Sequence, residues 1–543
     1  MDLGIFSSIL RDKQFKLDEQ SSNYKIIENC MELFVHPSMP HSADKKKTIK
    51  EYYEYQNCAY IAMRNGDYTE AAYAYSQALS RCYPYSSQAA YSYIQRSRIF
   101  EKTKDYKYCL FDIERALQLP MSEIVRLDLI KRKENIEKLR SIKTKKRQEP
   151  AEELVLKDGE NEHSSGTSKA IQLVKTSNNN YHYEAAKPIE IGDVLMMEES
   201  FTIFSSNTKS NACAERCDHC AKRTVAPIPC ERCCYFFYCS EKCQNEAYEK
   251  YHKIECLINL SEKSHRCLRL LLNLTDCGKQ LKKAIRIATA LDNNEEGAAE
   301  ITDTDDQLSA NIKAVLSLCK SVDKPLNMQL AMYSAALALT LRNHTDLLRG
   351  YNDVVPVAKL IFRLNYVLAR HLKSSKPRPG SLTSVTGIFP KYQLLTHSCS
   401  PNTVSYMYNN RYIVVRAAEN IDPGQTITRN FLEEDSFNLS AAEVKFILSF
   451  LNNIGCDCGL CFHDKDLNSS LTRNLGSHIS PNLLKKLRAS PNDVNNLWNL
   501  LTVVNKIPHS LEKEILKFAI EYASEGVVFP LLQKFYRISY ILK

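Results

Sequence analysis

The sequence has no apolar run long enough to cross a membrane. Its longest apolar stretch, near Ala331–Leu341, is much shorter than the roughly 18 residues that a transmembrane helix needs. The chain starts with a charged segment that lacks the pattern of a signal peptide, so we expect neither secretion nor a membrane span. It also lacks a P-loop, a Gly-x-Ser-x-Gly motif and a dinucleotide-binding glycine motif, and so gives no indication of nucleotide, serine-hydrolase or nicotinamide chemistry.

The composition is that of an ordinary globular protein. Hydrophobic residues make up 44% and charged residues 25% of the 543 residues, values that exclude a mainly disordered or fibrous chain. At about 150 residues per domain, this length predicts three or four domains. The net charge of +9 is modest, so it permits a nucleic-acid or acidic partner without requiring one.

Cysteine is abundant, with 20 in the chain, and many of these thiols are clustered. In a reducing compartment, clustered thiols indicate metal sites rather than disulfides. Zn²⁺ takes four sulfur or imidazole ligands, and two ligands that are two to four residues apart can reach the same ion. The densest segment holds four such pairs, which are Cys217 and Cys220, Cys230 and Cys233, Cys239 and Cys243, and His252 and Cys256. The spacing predicts two interleaved structural sites, one from the first and third pairs and one from the second and fourth.

A second group of thiols lies near the C-terminus. Cys456, Cys458 and Cys461 fall within six residues and need a fourth ligand from elsewhere, for which Cys399 is the obvious donor. These four residues predict a third closed, structural zinc site. The alternative is a set of surface thiols in a glycine-containing turn.

The N-terminal region contains an internal repeat. The pattern that begins at Gly66-Asp67-Tyr68 recurs 38 residues later at Lys104-Asp105-Tyr106. The spacing of its small and aromatic residues is typical of tetratricopeptide (TPR) repeats, in which two helices pack against each other. A further helix is predicted from Ser122 to about Lys143. A generic helical hairpin is the alternative interpretation.

Two segments resemble known families. The finger-like segment, with Tyr238-Cys239-Ser240 at its centre, resembles a MYND zinc finger. The heptapeptide Thr396–Asn402 is similar to the Asn-His-Ser-Cys-x-Pro-Asn motif of SET-domain lysine methyltransferases, and Ile421–Thr428 is similar to their Ile-x-x-Gly-Glu-Glu-Ile turn. A MYND finger between two SET halves, preceded by helical repeats, resembles the TPR-bearing type of the SET and MYND domain-containing family.

This resemblance implies an α+β fold: a split SET β-domain with an inserted MYND finger, N-terminal TPR-like repeats and a C-terminal helical tail. The predicted domains are TPR-like repeats at 45–145, a charged linker at 146–168, the N-terminal SET part at 169–212, the MYND finger at 213–258, a helical SET insert at 259–375, the SET core at 376–435, a post-SET zinc segment at 436–465 and C-terminal helices at 466–543.

The same resemblance implies methyl transfer from S-adenosylmethionine (SAM) to a lysine of a protein substrate. The cofactor contacts then fall on Thr396 and His397, on Asn180 and Tyr181 in the family's Gly-x-Gly position, and on Phe431. Phe431 also takes the family's catalytic tyrosine position. The expected cofactors are SAM and three structural zinc ions.

The sequence departs from the family motif at this site. Thr396 replaces asparagine, Asn180 replaces glycine, and Phe431 has no hydroxyl group. Asn452 and Ile454 stand where the family has aromatic residues. The alternative function is therefore a catalytically weak or inactive scaffold that docks partner proteins through its repeats and finger.

Partners and location are predicted more coarsely. We expect protein partners or substrates, a monomer, no membrane association, and a location in the cytoplasm and nucleus. The basic run Lys131–Arg147 is either a nuclear localisation signal or nucleic-acid patch, or a solvated helix face beside a linker.

Overall fold

The structure is a computed structural model. It describes residues 23–33, 47–143, 154–176, 181–207, 215–256, 258, 260–293, 307–319, 328–376, 383–432, 443–444, 447–448, 456, 479–505, 511–530 and 532.

Helices occur before, within and after the β region. In chain order they are α1 (Asn23–Leu33), α2 (Ile49–Arg64), α3 (Tyr68–Arg81), α4 (Ser87–Lys102), α5 (Tyr106–Leu117), α6 (Glu123–Lys143), α7 (Glu241–Ala247), α8 (Lys253–Glu255), α9 (Glu262–Leu274), α10 (Leu281–Asp292), α11 (Gln307–Leu316), α12 (Met328–His344), α13 (Val355–His371), α14 (Pro481–Ala489), α15 (Val494–Val504) and α16 (Leu511–Ser524). Within the described residues, no helix combines the length and the apolar character that a membrane crossing requires.

The strands are short. In chain order they are β1 (Glu160–Asn161), β2 (Ser164–Ser168), β3 (Ile171–Lys175), β4 (Tyr181–Ala185), β5 (Val194–Glu199), β6 (Thr202–Asn207), β7 (Ile228–Pro229), β8 (Phe237–Tyr238), β9 (Leu372–Ser374), β10 (Thr383–Ile388), β11 (Thr396–His397), β12 (Thr403–Tyr408), β13 (Tyr412–Ala417) and β14 (Thr428–Arg429).

The chain forms two compact units, each built from two separate stretches of sequence. The first unit, Met1–Ala151 with Thr202–Ala369, contains the N-terminal helices, the cysteine-rich segment and most of the helical region that follows it. The second unit, Glu152–Phe201 with Arg370–Lys543, contains the larger sheet and the C-terminal helices. This mixture of helices and sheet confirms the predicted α+β class.

In the first unit, helices α2 to α5 form two packed pairs, α2 with α3 and α4 with α5. The turns within the pairs are equivalent, because Gly66 and Lys104, which are 38 residues apart, both have a positive φ, at 77° and 61°. The small and aromatic residues of the repeat are buried at corresponding positions, as Tyr75 and Ile113 show. The structure thus contains the predicted helical pairs, and their assignment as tetratricopeptide repeats stays a prediction.

In the second unit, the strand order of the larger sheet is β1-β2-β5-β13-β12. Its strands come from both sides of the cysteine-rich segment, as expected for a split β-domain with an insertion. The interpretation of the linker at 146–168 is wrong for its described part, because β1 and β2 pair with each other and β2 joins β5. Gly159 and Gly166, which favour a loop by composition, provide the positive φ angles of this hairpin region instead.

Asn409 and Asn410 form the turn of the hairpin between β12 and β13. Both asparagines adopt positive φ, at 51° and 56°, as a tight two-residue turn requires. The turn brings Val404 and Val414 into neighbouring buried strands. The local turn residues therefore define this part of the sheet.

Helix α16 covers the open edge of the sheet at β12. Edge strands carry backbone N–H groups that need a partner. Glu521 accepts a hydrogen bond from the Ser405 N–H (2.8 Å) and Glu525 accepts one from the Met407 N–H (2.9 Å). Four residues along a helix and two residues along a strand both span about 6 Å, so the two glutamates match the two N–H groups. The two carboxylates thus accept hydrogen bonds that a neighbouring strand would otherwise accept.

We expect Glu521→Ala to destabilise the second unit by about 3 kcal/mol, because the substitution removes the acceptor of a buried N–H group and one ion-pair partner of the buried Lys376 ammonium. The exposed ion-pair residue Glu199 is the control, and Glu199→Ala should change stability by less than about 0.5 kcal/mol. Fluorescence of the single tryptophan, Trp498, reports denaturant unfolding of this unit. Equal effects of the two substitutions would contradict the edge-capping role.

Candidate zinc centres and the Thr396–Phe431 site

The first predicted zinc site is assembled in the structure. The sulfur atoms of Cys217, Cys220, Cys239 and Cys243 all lie within 4.8 Å of one another. Cys239 Sγ is 3.6 Å from the sulfur of Cys220 and 3.6 Å from that of Cys243. A tetrahedral zinc ion with bonds of about 2.3 Å places its sulfur ligands about 3.8 Å apart, so this set fits Zn²⁺.

The second predicted zinc site is assembled from the other two pairs. Cys230, Cys233, His252 and Cys256 bring their ligand atoms within 4.8 Å of one another. His252 Nε2 is 3.2 Å from Cys230 Sγ and 3.6 Å from Cys233 Sγ, so this ring nitrogen faces the thiols. Both sites use all four protein ligands, which is typical of structural rather than catalytic zinc. The interleaved pairing expected from the spacing is the one that the structure brings together.

A buried carboxylate supports the imidazole ligand of the second site. Glu255 Oε2 lies 3.5 Å from His252 Nδ1, and its two oxygens accept bonds of 3.0 Å from the guanidinium of Arg269. Burial opposes ionisation of Glu255, but the charge of Arg269 and the hydrogen bond to the His252 ring outweigh it and hold the Glu255 pKa below its ordinary value. An ionised carboxylate at Nδ1 orients the ring so that Nε2 can bind the metal. Spacing alone does not reveal this partner.

The repeat helices bind the finger through backbone carbonyl groups. Three basic side chains of the N-terminal region each donate a hydrogen bond to one finger carbonyl oxygen, so zinc ligation and repeat packing are connected. The bonds run from Lys47 to Cys230 (3.0 Å), from Arg81 to Cys234 (2.6 Å) and from Arg96 to Pro227 (3.0 Å).

Arg96 is the most buried of these donors. It makes a two-bond ion pair with Asp112, at 2.8 and 2.7 Å, and both side chains are fully buried. Ala226 of the finger belongs to the same apolar cluster as the repeat helices. The finger and the repeats therefore share a core within the first unit.

A cavity of about 320 Å³ lies at this junction. Tyr85, Tyr93 and Arg115 line it from the repeat helices, and Pro229 and Gln244 line it from the finger. This volume is at the lower limit of the range of ligand pockets. The junction is therefore a surface feature that neither module forms alone.

The third thiol group is described only in part. Cys399 Sγ lies 4.0 Å from Cys456 Sγ, as the proposed shared site requires, while Cys458 and Cys461 lie outside the described residues. His397 Nε2 is 3.4 Å from Cys399 Sγ, so the imidazole is also close to this group. However, His397 Nδ1 accepts a bond of 3.1 Å from the Phe431 N–H, so in the neutral ring Nε2 carries the proton. His397 is then a hydrogen-bond donor to the thiolate rather than a metal ligand.

Two short strands bring the two halves of the candidate methyl-transfer site together. β11 and β14 are parallel, with Thr396 opposite Thr428 and His397 opposite Arg429. This pairing places the Phe431 ring against the His397 ring, with centroids 5.1 Å apart. Residues that are more than 30 positions apart in sequence thus form one site.

The segment that contains Tyr181 flanks the same strand. Ile427 donates its N–H to the Tyr183 carbonyl (2.8 Å), and its own carbonyl accepts from the Thr396 N–H (3.3 Å). Tyr181, two residues before Tyr183, is half exposed. The other predicted or divergent residues, Asn180, Asn452 and Ile454, lie outside the described residues.

Residues that sequence analysis missed complete the surroundings of Phe431. The Arg429 guanidinium packs on the rings of Tyr392 and Phe431, and Glu198 accepts the N–H groups of Lys391 (2.9 Å) and Tyr392 (2.8 Å). Burial raises the pKa of Glu198 to about 7. No motif marks these residues, because their contacts depend on the folded chain.

We expect Glu255→Gln to lower the zinc affinity of the finger by about 10- to 100-fold, because the variant loses the charge that orients His252. Competition with a chromogenic chelator measures zinc release. Glu246→Gln is the matched control, since Glu246 bonds to His219 (3.0 Å), which is not a ligand. Equal zinc loss from the two variants would refute the proposed support of His252.

We also expect three zinc ions per chain, with Cys399→Ser losing one and retaining the two finger ions. The physical reason is that Cys399 contributes only to the third group, whose other members are near the C-terminus. Elemental analysis of the purified protein and this variant tests the assignment. Retention of the full zinc content by Cys399→Ser would exclude Cys399 as a ligand.

Comparison with known proteins agrees with this arrangement. The MYND finger family matches residues 217–256, which include all eight finger ligands. The mouse protein named protein-lysine N-methyltransferase SMYD4 is 25% identical over 378 residues, which cover 56% of this chain and 47% of the mouse protein. The SMYD4 protein of Pongo abelii is 24% identical over 523 residues, covering 73% of this chain and 65% of that protein.

The chain spans about half the length of the mouse relative. A solved SET domain of LSMT, bound to lysine and AdoHcy, aligns with 69% of this chain and 87% of its own, at 12% identity. Its TM-score of 0.22 is too low to support an argument about this structure. The chain thus contains a MYND finger and is similar in sequence to SMYD4 proteins.

Proposed function

We propose that this protein is a SAM-dependent protein-lysine N-methyltransferase of the SET and MYND type. The observation that carries the proposal is the pairing of β11 with β14, which brings the His397 and Phe431 motifs together with a bond of 3.1 Å. The similarity to proteins named protein-lysine N-methyltransferase SMYD4 supports the same activity.

The residues present offer a suitable surface for the cofactor. Thr396 is partly exposed, Tyr181 is half exposed and Phe431 presents a partly exposed ring, a combination of hydroxyl and aromatic groups that suits a sulfonium compound with an adenine base. Thr396, His397, Tyr181 and Phe431 are the described residues that would hold SAM, which supplies an electrophilic methyl group. Asn180 is proposed as a further contact from sequence alone.

The chemical contribution of the protein is mainly positioning. Methyl transfer is an in-line displacement, so holding the acceptor nitrogen in line and excluding water lowers the barrier. The acceptor lysine must lose its proton before it can attack. Phe431 shapes the site with its ring but, without a hydroxyl group, cannot accept a hydrogen bond there. We therefore expect slow turnover.

The junction of repeats and finger supports a second candidate function, that of a scaffold. Its cavity of about 320 Å³ is lined by tyrosines and an arginine, residues that are common in protein interfaces. MYND fingers and helical repeats are protein-interaction modules by resemblance, so protein partners are proposed for this region. The monomeric state, the location in the cytoplasm and nucleus, and the weak expectation of nucleic-acid binding stay predictions.

Calorimetric titration of SAM into the zinc-loaded chain tests the enzyme function. We expect a Kd in the micromolar range, about 8 kcal/mol, and tighter binding by Thr396→Asn, which restores the family's residue. Phe431→Tyr should raise methyl transfer by at least about tenfold by restoring a hydroxyl group. If neither the natural protein nor Thr396→Asn binds SAM while both keep their zinc, the methyltransferase proposal is wrong and the scaffold function is favoured.

A further inference from the structure

The guanidinium of Arg429 lies between two aromatic rings in the second unit. Its central carbon is 4.2 Å from the centre of the Tyr392 ring and 4.1 Å from the centre of the Phe431 ring. Tyr392 is fully buried, while Phe431 and Arg429 are half-buried. Both distances are well inside the roughly 6 Å limit at which a cation is attracted to a ring face.

Neutral groups provide the other contacts of this cation. Arg429 Nη2 donates a bond of 2.7 Å to Gln393 Oε1, and Nη1 is 3.5 Å from the Tyr392 hydroxyl oxygen. Within the part of the chain that the structure describes, no carboxylate makes an ion pair with Arg429. Two ring faces and an amide oxygen are the groups with which proteins bind ammonium ligands. Arg429 thus occupies a cation site that its own chain supplies.

The surrounding backbone holds this site in place. Gln393 donates from Nε2 to the His371 carbonyl (3.0 Å), and its Oε1 lies 3.2 Å from His371 Nδ1. Glu198 fixes the backbone of Tyr392 from β5. The rings and the amide are therefore positioned by contacts that do not depend on the guanidinium.

We propose that Arg429 is a specificity-determining residue that fills the aromatic site needed by the ammonium or amine of a substrate lysine. This inference rests on the proposed methyltransferase function, which assigns Phe431 to the methyl-transfer position. Two cations cannot share one pair of rings, because both compete for the same faces and repel each other. A lysine side chain enters only when Arg429 moves out, so the resting site disfavours lysine.

The test uses the full zinc-loaded chain and N-acetyl-lysine methylamide as the probe, with binding followed by NMR titration. Arg429→Gln removes the charge and should bind the probe at least about tenfold more tightly than the natural protein. Arg429→Lys keeps a cation and should resemble the natural protein. The matched control is Arg416→Gln, which removes an arginine that packs on Trp498 at 4.8 Å, and it should leave probe affinity unchanged.

A second variant keeps the test valid if Arg429→Gln does not fold. Arg429→Met also removes the charge and leaves both rings and the Gln393 amide in place, so it should likewise increase probe affinity relative to the natural protein. Zinc content and the circular dichroism spectrum establish folding of each variant. Probe binding by folded Arg429→Gln or Arg429→Met that is equal to or weaker than that of the natural protein would overturn the inference.

Titration of SAM into the same proteins separates this inference from the proposed function. If SAM binds but Arg429→Gln does not change probe affinity, the role of Arg429 is wrong and the methyltransferase proposal stands. If SAM binds none of the proteins while Arg429→Gln tightens probe binding, the cation site is supported and methyl transfer fails.

Discussion

Backbone pairing along Ile427–Arg429 is the interaction on which the candidate active site depends. This strand bonds to β4 on one side and to β11 on the other, so it joins the Tyr181 segment to the Thr396 segment. Asn402 stabilises the pairing, because its side chain accepts from the Thr428 N–H (2.8 Å) and donates to the Thr426 carbonyl (2.8 Å). The motif that contains Thr396 therefore also includes the residue that brings its partner strand into place.

The expected structural role of zinc differs between the two units. In the first unit, two groups of four ligands stabilise a small finger, and basic side chains of the N-terminal region donate hydrogen bonds to its backbone carbonyl groups. In the second unit, Cys399 follows directly on β11, so a metal at this thiol would restrain the strand that carries Thr396 and His397. Each of the two finger groups offers four protein ligands, which leaves a bound zinc ion there no position for a reacting molecule. Metal thus supports the architecture, and the proposed chemistry belongs to SAM and the side chains around Phe431.

Local sequence signals predicted much of this arrangement. The ligand pairs of the finger and the repeated helices are defined by residues close together in the chain, where spacing determines the outcome. The hairpin of β1 and β2 was missed because its polar, glycine-containing sequence has the composition of a linker. Its strand β2 joins the sheet by pairing with β5, which lies in a later part of the chain.

The features that the sequence did not predict depend on contacts between residues that are distant in the chain. Glu521 and Glu525 have the pattern of an ordinary helix face, yet they satisfy the edge of β12. The sequence around Arg429 does not indicate a role for its charge. That role is inferred from the contacts of its guanidinium with the rings of Tyr392 and Phe431. Such residues acquire their roles only when strands from different parts of the chain meet.

Photo-crosslinking with methyl-tritiated SAM tests the central claim most directly, because it locates the bound cofactor without requiring a known substrate. The zinc-loaded chain is irradiated with the labelled cofactor, digested and mapped by mass spectrometry, with excess unlabelled SAM as competitor. The account predicts a competable label on the peptide that contains Thr396 and His397 or on the one that contains Phe431. A competable label confined to the finger or the repeats, or no competable label anywhere, would contradict it.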